Sequence, residues 1–174
     1  MSGARQDIID LVNLYGIAMD SQRWELFEAI FTDYVDADYG PGSHWRGLAD
    51  FRRDFAAFHA PFDATQHMMT THVVRLHGEQ AHCLTYGSWR LVRHAAQGGP
   101  LWDGTGWYDD ELVLTHAGWR IRKRVCRVIF ATGNPRVKET LPGVTFEDTS
   151  FSLRDEDRGG QVMLLRALDA REGP

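Results

Sequence analysis

Asp63-Ala-Thr-Gln-His-Met-Met-Thr-Thr-His-Val-Val-Arg-Leu76 places a histidine, His67, in the middle of an apolar, β-branched run. Such a run reads as a β-strand with one buried side, and side chains two apart share a face. Period-two alternation groups His67 with Thr65, Met69, Thr71 and Val73, and sends Gln66, Met68, Thr70, His72 and Val74 to the other side. On that reading only one of the two histidines faces the core. His67 is therefore the first candidate for a catalytic base, although a hydrogen-bonded core histidine fits the same pattern, because buried histidines mark sites only statistically.

Three more strand-like segments follow, over residues 81–95, 102–115 and 119–131, joined by His77-Gly-Glu-Gln80, a Gly98-Gly-Pro100 loop and His116-Ala-Gly118. Short glycine-bearing connections predict consecutive antiparallel hairpins. Strands longer than the usual ~5 to 6 residues twist and curl, so helices on the concave side leave room for a cavity. Upstream, Ile8, Leu11, Val12, Tyr15, Ala18 and Met19 recur at three- and four-residue intervals and predict a helix over 4–19. Asp20-Ser-Gln-Arg23 breaks that pattern, and Trp24, Phe27, Ile30 and Phe31 restart it, which makes Asp20 a candidate helix cap. Tyr34-Val-Asp-Ala-Asp-Tyr39 alternates as a short strand with Val35, Ala37 and Tyr39 inward. A second short element lies around His44-Trp-Arg46, and Leu48, Phe51, Phe55 and Phe58 mark a third helix. Helices first and a curled antiparallel sheet afterwards is an α+β domain, a cone-shaped barrel in which the sheet wraps three N-terminal helices.

The 174 residues suit one domain, read here as 1–134, with a charged extension over 135–174 and a short helix within 161–170. That extension would cover a pocket, meet a second subunit, or stay partly unfolded. The formal net charge of -5 is modest and the basic residues are scattered, which argues against nucleic acid. Cys83 and Cys126 lie in apolar runs without metal or disulfide spacing, so both read as buried free thiols. His44, His59, His77, His82, His94 and His116 are equally scattered, and no metal or other cofactor is expected. The N-terminus lacks the pattern of a leader and no run approaches membrane-spanning length, so a cytoplasmic protein is expected. Apolar strand residues such as Met68, Val74 and Leu84 are expected to need cover, which favours a homodimer through the outer face of the sheet.

The order Tyr15, Asp20, Trp24, Phe31 and Asp33, then Gly47, then Gln66-His-Met-Met-Thr-Thr-His72, then Tyr108-Asp-Asp110 and Gly118-Trp-Arg-Ile121 resembles the SnoaL-like branch of the nuclear-transport-factor-2-like superfamily. The resemblance covers about residues 4–131 and implies a curved sheet around an apolar pocket. Elimination enzymes of that superfamily pair an aspartate ending the first helix with a histidine on the strand after the third, positions held here by Asp20 and His67. It further implies catalytic roles for Tyr15 and Tyr39, and a substrate-binding wall of Trp24, Met69, Thr71, Tyr108 and Arg127. Two departures stand out. Thr71 occupies a place where relatives often carry Asn, and Leu112-Val-Leu-Thr115 is uncharged where dehydrochlorinase-like members have an arginine, leaving Arg90 or Arg127 as substitutes.

A neutral imidazole held by a carboxylate is a suitable base near neutral pH. With no serine or thiol motif at hand, the expected reaction is removal of a carbon-bound proton from an apolar polycyclic or aromatic molecule, followed by dehydration or a double-bond shift. A polyketide-cyclase-like enzyme with an acidic base, and a non-catalytic binding module, remain open at this level.

Overall fold

The three- and four-residue spacing winds the N-terminus into α1 (Ser2–Ser21), with Ile8, Val12, Tyr15, Ala18 and Met19 buried along one stripe. The computed structural model describes residues 2–143 and 149–170. After α1, Gln22 adopts a left-handed conformation (φ 52°) that reverses the chain. A 3-10 turn (Trp24–Leu26) and the single-turn α2 (Phe27–Ile30) follow. The expected second helix is thus shorter than its apolar pattern suggested. Phe31 already enters β1 (Phe31–Asp38), where it pairs with Ile121. Asp20 caps nothing: the helical elements after it have no side-chain cap, and its carboxylate is used elsewhere.

β2 (His44–Arg46) and α3 (Leu48–His59) lead into four long strands, β3 (Ala64–His77), β4 (Gln80–Val92), β5 (Leu101–Thr115) and β6 (Gly118–Gly133). They form one six-stranded sheet in the order β2-β1-β6-β5-β4-β3. The hairpins β3–β4, β4–β5 and β5–β6 are antiparallel as expected, while β1 lies parallel to β6. The sheet is open, with β2 and β3 at its edges, so "barrel" overstates its closure. α1 packs across β3, and the main core fills the concave side between α1, α2, α3 and the inner faces of the strands.

Two register shifts correct the simple alternation. In β3 the pairing slips between Thr70 and Val73, and Thr71 takes a left-handed conformation (φ 54°). An extra residue in one strand reverses the faces beyond it. Val74 therefore joins the core and Val73 turns outward, the reverse of the expectation. His72 also turns inward, its Nδ1 3.0 Å from the hydroxyl of fully buried Thr85, so His67 and His72 both face the concave side. In β6 the shift opposite Glu111 and Leu112 leaves Arg122 unpaired, and the inward set passes from Trp119 and Ile121 to Arg124 and Cys126.

The C-terminal extension lies on the convex face. α4 (Leu153–Arg158) and α5 (Met163–Asp169) follow a backbone bond from Phe151 N–H to the Val128 carbonyl (2.7 Å). Val162 and Leu164 pack on Leu84 and Trp107 in a second core. Leu84 is thereby covered within one chain, without a second copy. Met68, Ile129 and Phe130 stay exposed on this part of the molecule.

Candidate active site

The last turn of α1 lies over the start of β3 at close range. A Cβ at Gly16 would stand 3.2 Å from the His67 carbonyl and 3.3 Å from Met69 Cγ, so glycine there lets the helix settle on the strand. That approach delivers Asp20 to three donors. Its Oδ1 accepts from His67 Nδ1 (2.7 Å) and Thr65 Oγ1 (2.8 Å), and its Oδ2 from the His67 backbone N–H (2.8 Å). Burial alone would raise this carboxyl, but the bonds from His67 and Thr65 outweigh it and hold it below the usual aspartate value.

A carboxylate only accepts, so Nδ1 carries a proton, and in the neutral ring the lone pair is on Nε2. Among the described residues nothing bonds to that nitrogen. The His67 side chain is only 6% exposed. Tyr15 stands edge-on to it, with ring centres 6.3 Å apart.

Below the pair lies a charged aromatic cluster. The hydroxyls of Tyr15 and Tyr39 are 2.9 Å apart, and burial raises the pKa of both phenols well above the ordinary range. Tyr108 packs 5.5 Å from Tyr15, and burial raises it likewise. Under these rings runs the guanidinium of Arg124, 4.2 Å from the centre of Tyr15 and 4.5 Å from that of Tyr108. Arg124 Nε and Nη2 each donate to Asp110 at 2.7 Å, and both side chains are fully buried. Burial works against the charge on Arg124, but Asp110 more than offsets it and holds the guanidinium protonated. Arg124 Nη1 is buried without a hydrogen-bond partner.

The structure thus gathers Asp20, His67, Tyr15, Tyr39 and Tyr108 on the concave side. Met69 is half-buried beside α1, and Trp24 stacks 5.5 Å from both Phe27 and His59. Thr71 is not brought to this group: it sits exposed on the bulge. Arg127 points away too, held by Asp38 at 2.6 Å and 3.1 Å and lying over Phe151. Arg90 pairs with Asp103 at the surface. The inward arginine is Arg124, which alternation from Trp119 and Ile121 would have placed outside. Asp110 was within reach of the sequence, since it lies two residues beyond the inward Tyr108. His59, one of the histidines read as scattered, is buried at the end of α3.

Among the described residues no group of His, Cys, Asp and Glu is arranged to hold a metal ion, and no helix is long and apolar enough to cross a membrane. A family model described as a SnoaL-like domain matches residues 2–125. Among solved structures, the Kfla4162 protein of Kribbella flavida is 25% identical, with a TM-score of 0.73 over 78% of this chain and 97% of that one. A protein provisionally named scytalone dehydratase, from Novosphingobium aromaticivorans, is 18% identical, with a TM-score of 0.68 over 76% and 91%. A nuclear transport factor 2-like superfamily protein from Salmonella enterica is 19% identical, with a TM-score of 0.67 over 76% and 95%. No curated protein matches the chain. The last two likenesses carry the fold alone.

Proposed function

The chain belongs to the SnoaL-like domain family, and on that premise we propose that it is a cofactor-free lyase or isomerase acting on an apolar cyclic small molecule. The observation that carries this reading is the 2.7 Å bond from His67 Nδ1 to Asp20, which in the neutral ring puts the lone pair on Nε2, where it can serve as a base. Nε2 takes a proton from carbon next to a carbonyl, and the electron pair moves onto the carbonyl oxygen. The Tyr15–Tyr39 hydroxyl pair has one proton to spare for that oxygen, and the Arg124 charge beneath the rings favours the negative charge forming there. When the pair returns, a β-hydroxyl leaves, takes the proton from the imidazolium and departs as water. If the substrate carries a β,γ double bond and no leaving group, the same proton returns to the γ-carbon and the double bond moves into conjugation with the carbonyl.

A cyclase using Asp20 itself as base is the weaker reading, because that carboxylate is already bound by three donors and held in its ionised form. The proposal includes a cytoplasmic location and a homodimer over the exposed Met68, Ile129 and Phe130. A panel of bicyclic β-hydroxy ketones tests the chemistry, with the appearance of enone absorbance as the readout. Loss of turnover by about 100- to 10,000-fold in His67→Ala is expected. A variant that turns over at the wild-type rate per folded molecule would overturn it.

A further inference from the structure

His59 ends α3 in a cage of rings, 4.9 Å from Phe58, 5.4 Å from Phe55 and 5.5 Å from both Trp24 and Phe62. It is 4% exposed. Its Nδ1 lies 2.8 Å from the Phe55 carbonyl, which only accepts, so the ring proton is on Nδ1 and Nε2 carries a lone pair. Among the described residues nothing donates to Nε2. Nor is it one of the sealed, unpartnered atoms of the interior, as Trp89 Nε1 and Arg124 Nη1 are. A polar nitrogen that is neither bonded nor sealed opens on accessible space.

His59 lies close to the pair already described. Gln22 Nε2 donates to the His59 carbonyl at 3.1 Å, which ties the end of α3 to the turn directly after Asp20. Rings run without a break from Trp24 to Phe27 (5.5 Å), from Phe27 to Tyr15 (5.9 Å) and from Tyr15 to His67 (6.3 Å). The charges of His67 and Asp20 are felt at His59, and burial lowers its pKa to about 3. The ring therefore stays neutral at any working pH and cannot hand a proton to a leaving group. Its chemistry is that of a fixed hydrogen-bond acceptor set among apolar rings, which calls for a donor on the ligand.

Resting on the elimination chemistry proposed above, we propose that His59 is a specificity-determining residue. Its Nε2 accepts a hydrogen bond from a substrate hydroxyl other than the one eliminated, which makes the substrate a hydroxylated ring system, phenolic or enolic, rather than a bare hydrocarbon or ether. Without that hydroxyl the lone pair would be buried unmet by bound ligand. This is the kind of loss by which polar sites reject analogues.

The test compares 2-naphthol with 2-methoxynaphthalene, binding each to the full chain by calorimetry. Wild type is expected to bind the naphthol about tenfold more tightly, as one hydrogen bond provides. The preference should vanish in His59→Phe and persist in His67→Asn. Wild type binding both probes equally, or neither, overturns the assignment, as does a preference that disappears with His67 instead. In case His59→Phe does not fold, ¹⁵N spectra of histidine-labelled wild type supply a second reading. Adding 2-naphthol should move the His59 Nε2 resonance and leave Nδ1 protonated, and an unmoved resonance overturns the proposal. Both readings are of binding, so they stand even if the chain fails to eliminate anything.

Discussion

Asp20 is spent as an anchor: three donors fill its oxygens, and what it offers is the orientation of His67 rather than a free lone pair. The residues of this pair were legible because each sits where a regular pattern ends or is interrupted, Asp20 at the last helical turn and His67 in an apolar strand. Tyr15 and Tyr39 were legible for a similar reason, as inward positions of a helix and a strand. Arg124 was not, because its facing depends on one unpaired residue in β6. Its energetic role yields a prediction. Removing one partner of a fully buried, bidentate pair strands a charge, so Arg124→Met is expected to destabilise the fold by about 3–5 kcal/mol. The double variant Arg124→Met, Asp110→Leu should cost less than the sum of the singles. Urea denaturation of all three would show this, and strict additivity would mean that the two side chains are not coupled as the geometry requires.

The register shifts belong to the scale of elements. A bulge is easiest to find in sequence when glycine supplies its left-handed residue, whereas here Thr71 does so in β3. The alternation therefore read smoothly through Thr71, and placed Val74 and His72 on the wrong face. The C-terminal helix was legible from Val162, Leu165 and Leu168, but its resting place was not, since the residue that receives it lies far away on β5. Asp109 is 1% exposed and accepts from the backbone N–H groups of Met163 and Leu164 at the start of α5. Burial is the largest influence on this carboxyl, and despite the two N–H groups it is pushed up to about 6. Between the ordinary aspartate value of about 4 and about 6, the folded chain holds a proton that the unfolded chain releases. This group's contribution is thus most favourable below about pH 4, and stability falls as pH rises through about 6, by on the order of 2 kcal/mol. Urea melts of wild type and Asp109→Asn at pH 4.5 and pH 7, followed by tryptophan fluorescence, should show the slope smaller in the variant. An identical slope in both would remove Asp109 as its source.

For the whole molecule, helices followed by long hairpins were enough to name an α+β fold, because each hairpin is a local decision made by a short loop. The parallel pairing of β1 with β6 is a long-range closure with no local signal. The outer face divides in two: Leu84 and Trp107 lie under the chain's own C-terminal helix, while Met68 is 50% and Phe130 61% exposed. The proposed homodimer would bury the second group, and light scattering at micromolar concentration should report twice the 19.8 kDa chain mass, where a monomer would count against it.

The proposed function turns on one step, proton removal from carbon by His67. Deuterium incorporation reads that step without needing the leaving group or the natural substrate. In D₂O, wild type should exchange the acidic protons of 2-tetralone, as followed by proton NMR. Exchange should drop by about 100-fold or more in His67→Ala and substantially in Asp20→Asn. No exchange above the buffer rate with wild type, or equal rates with wild type and His67→Ala, would contradict the assignment of His67 as the base.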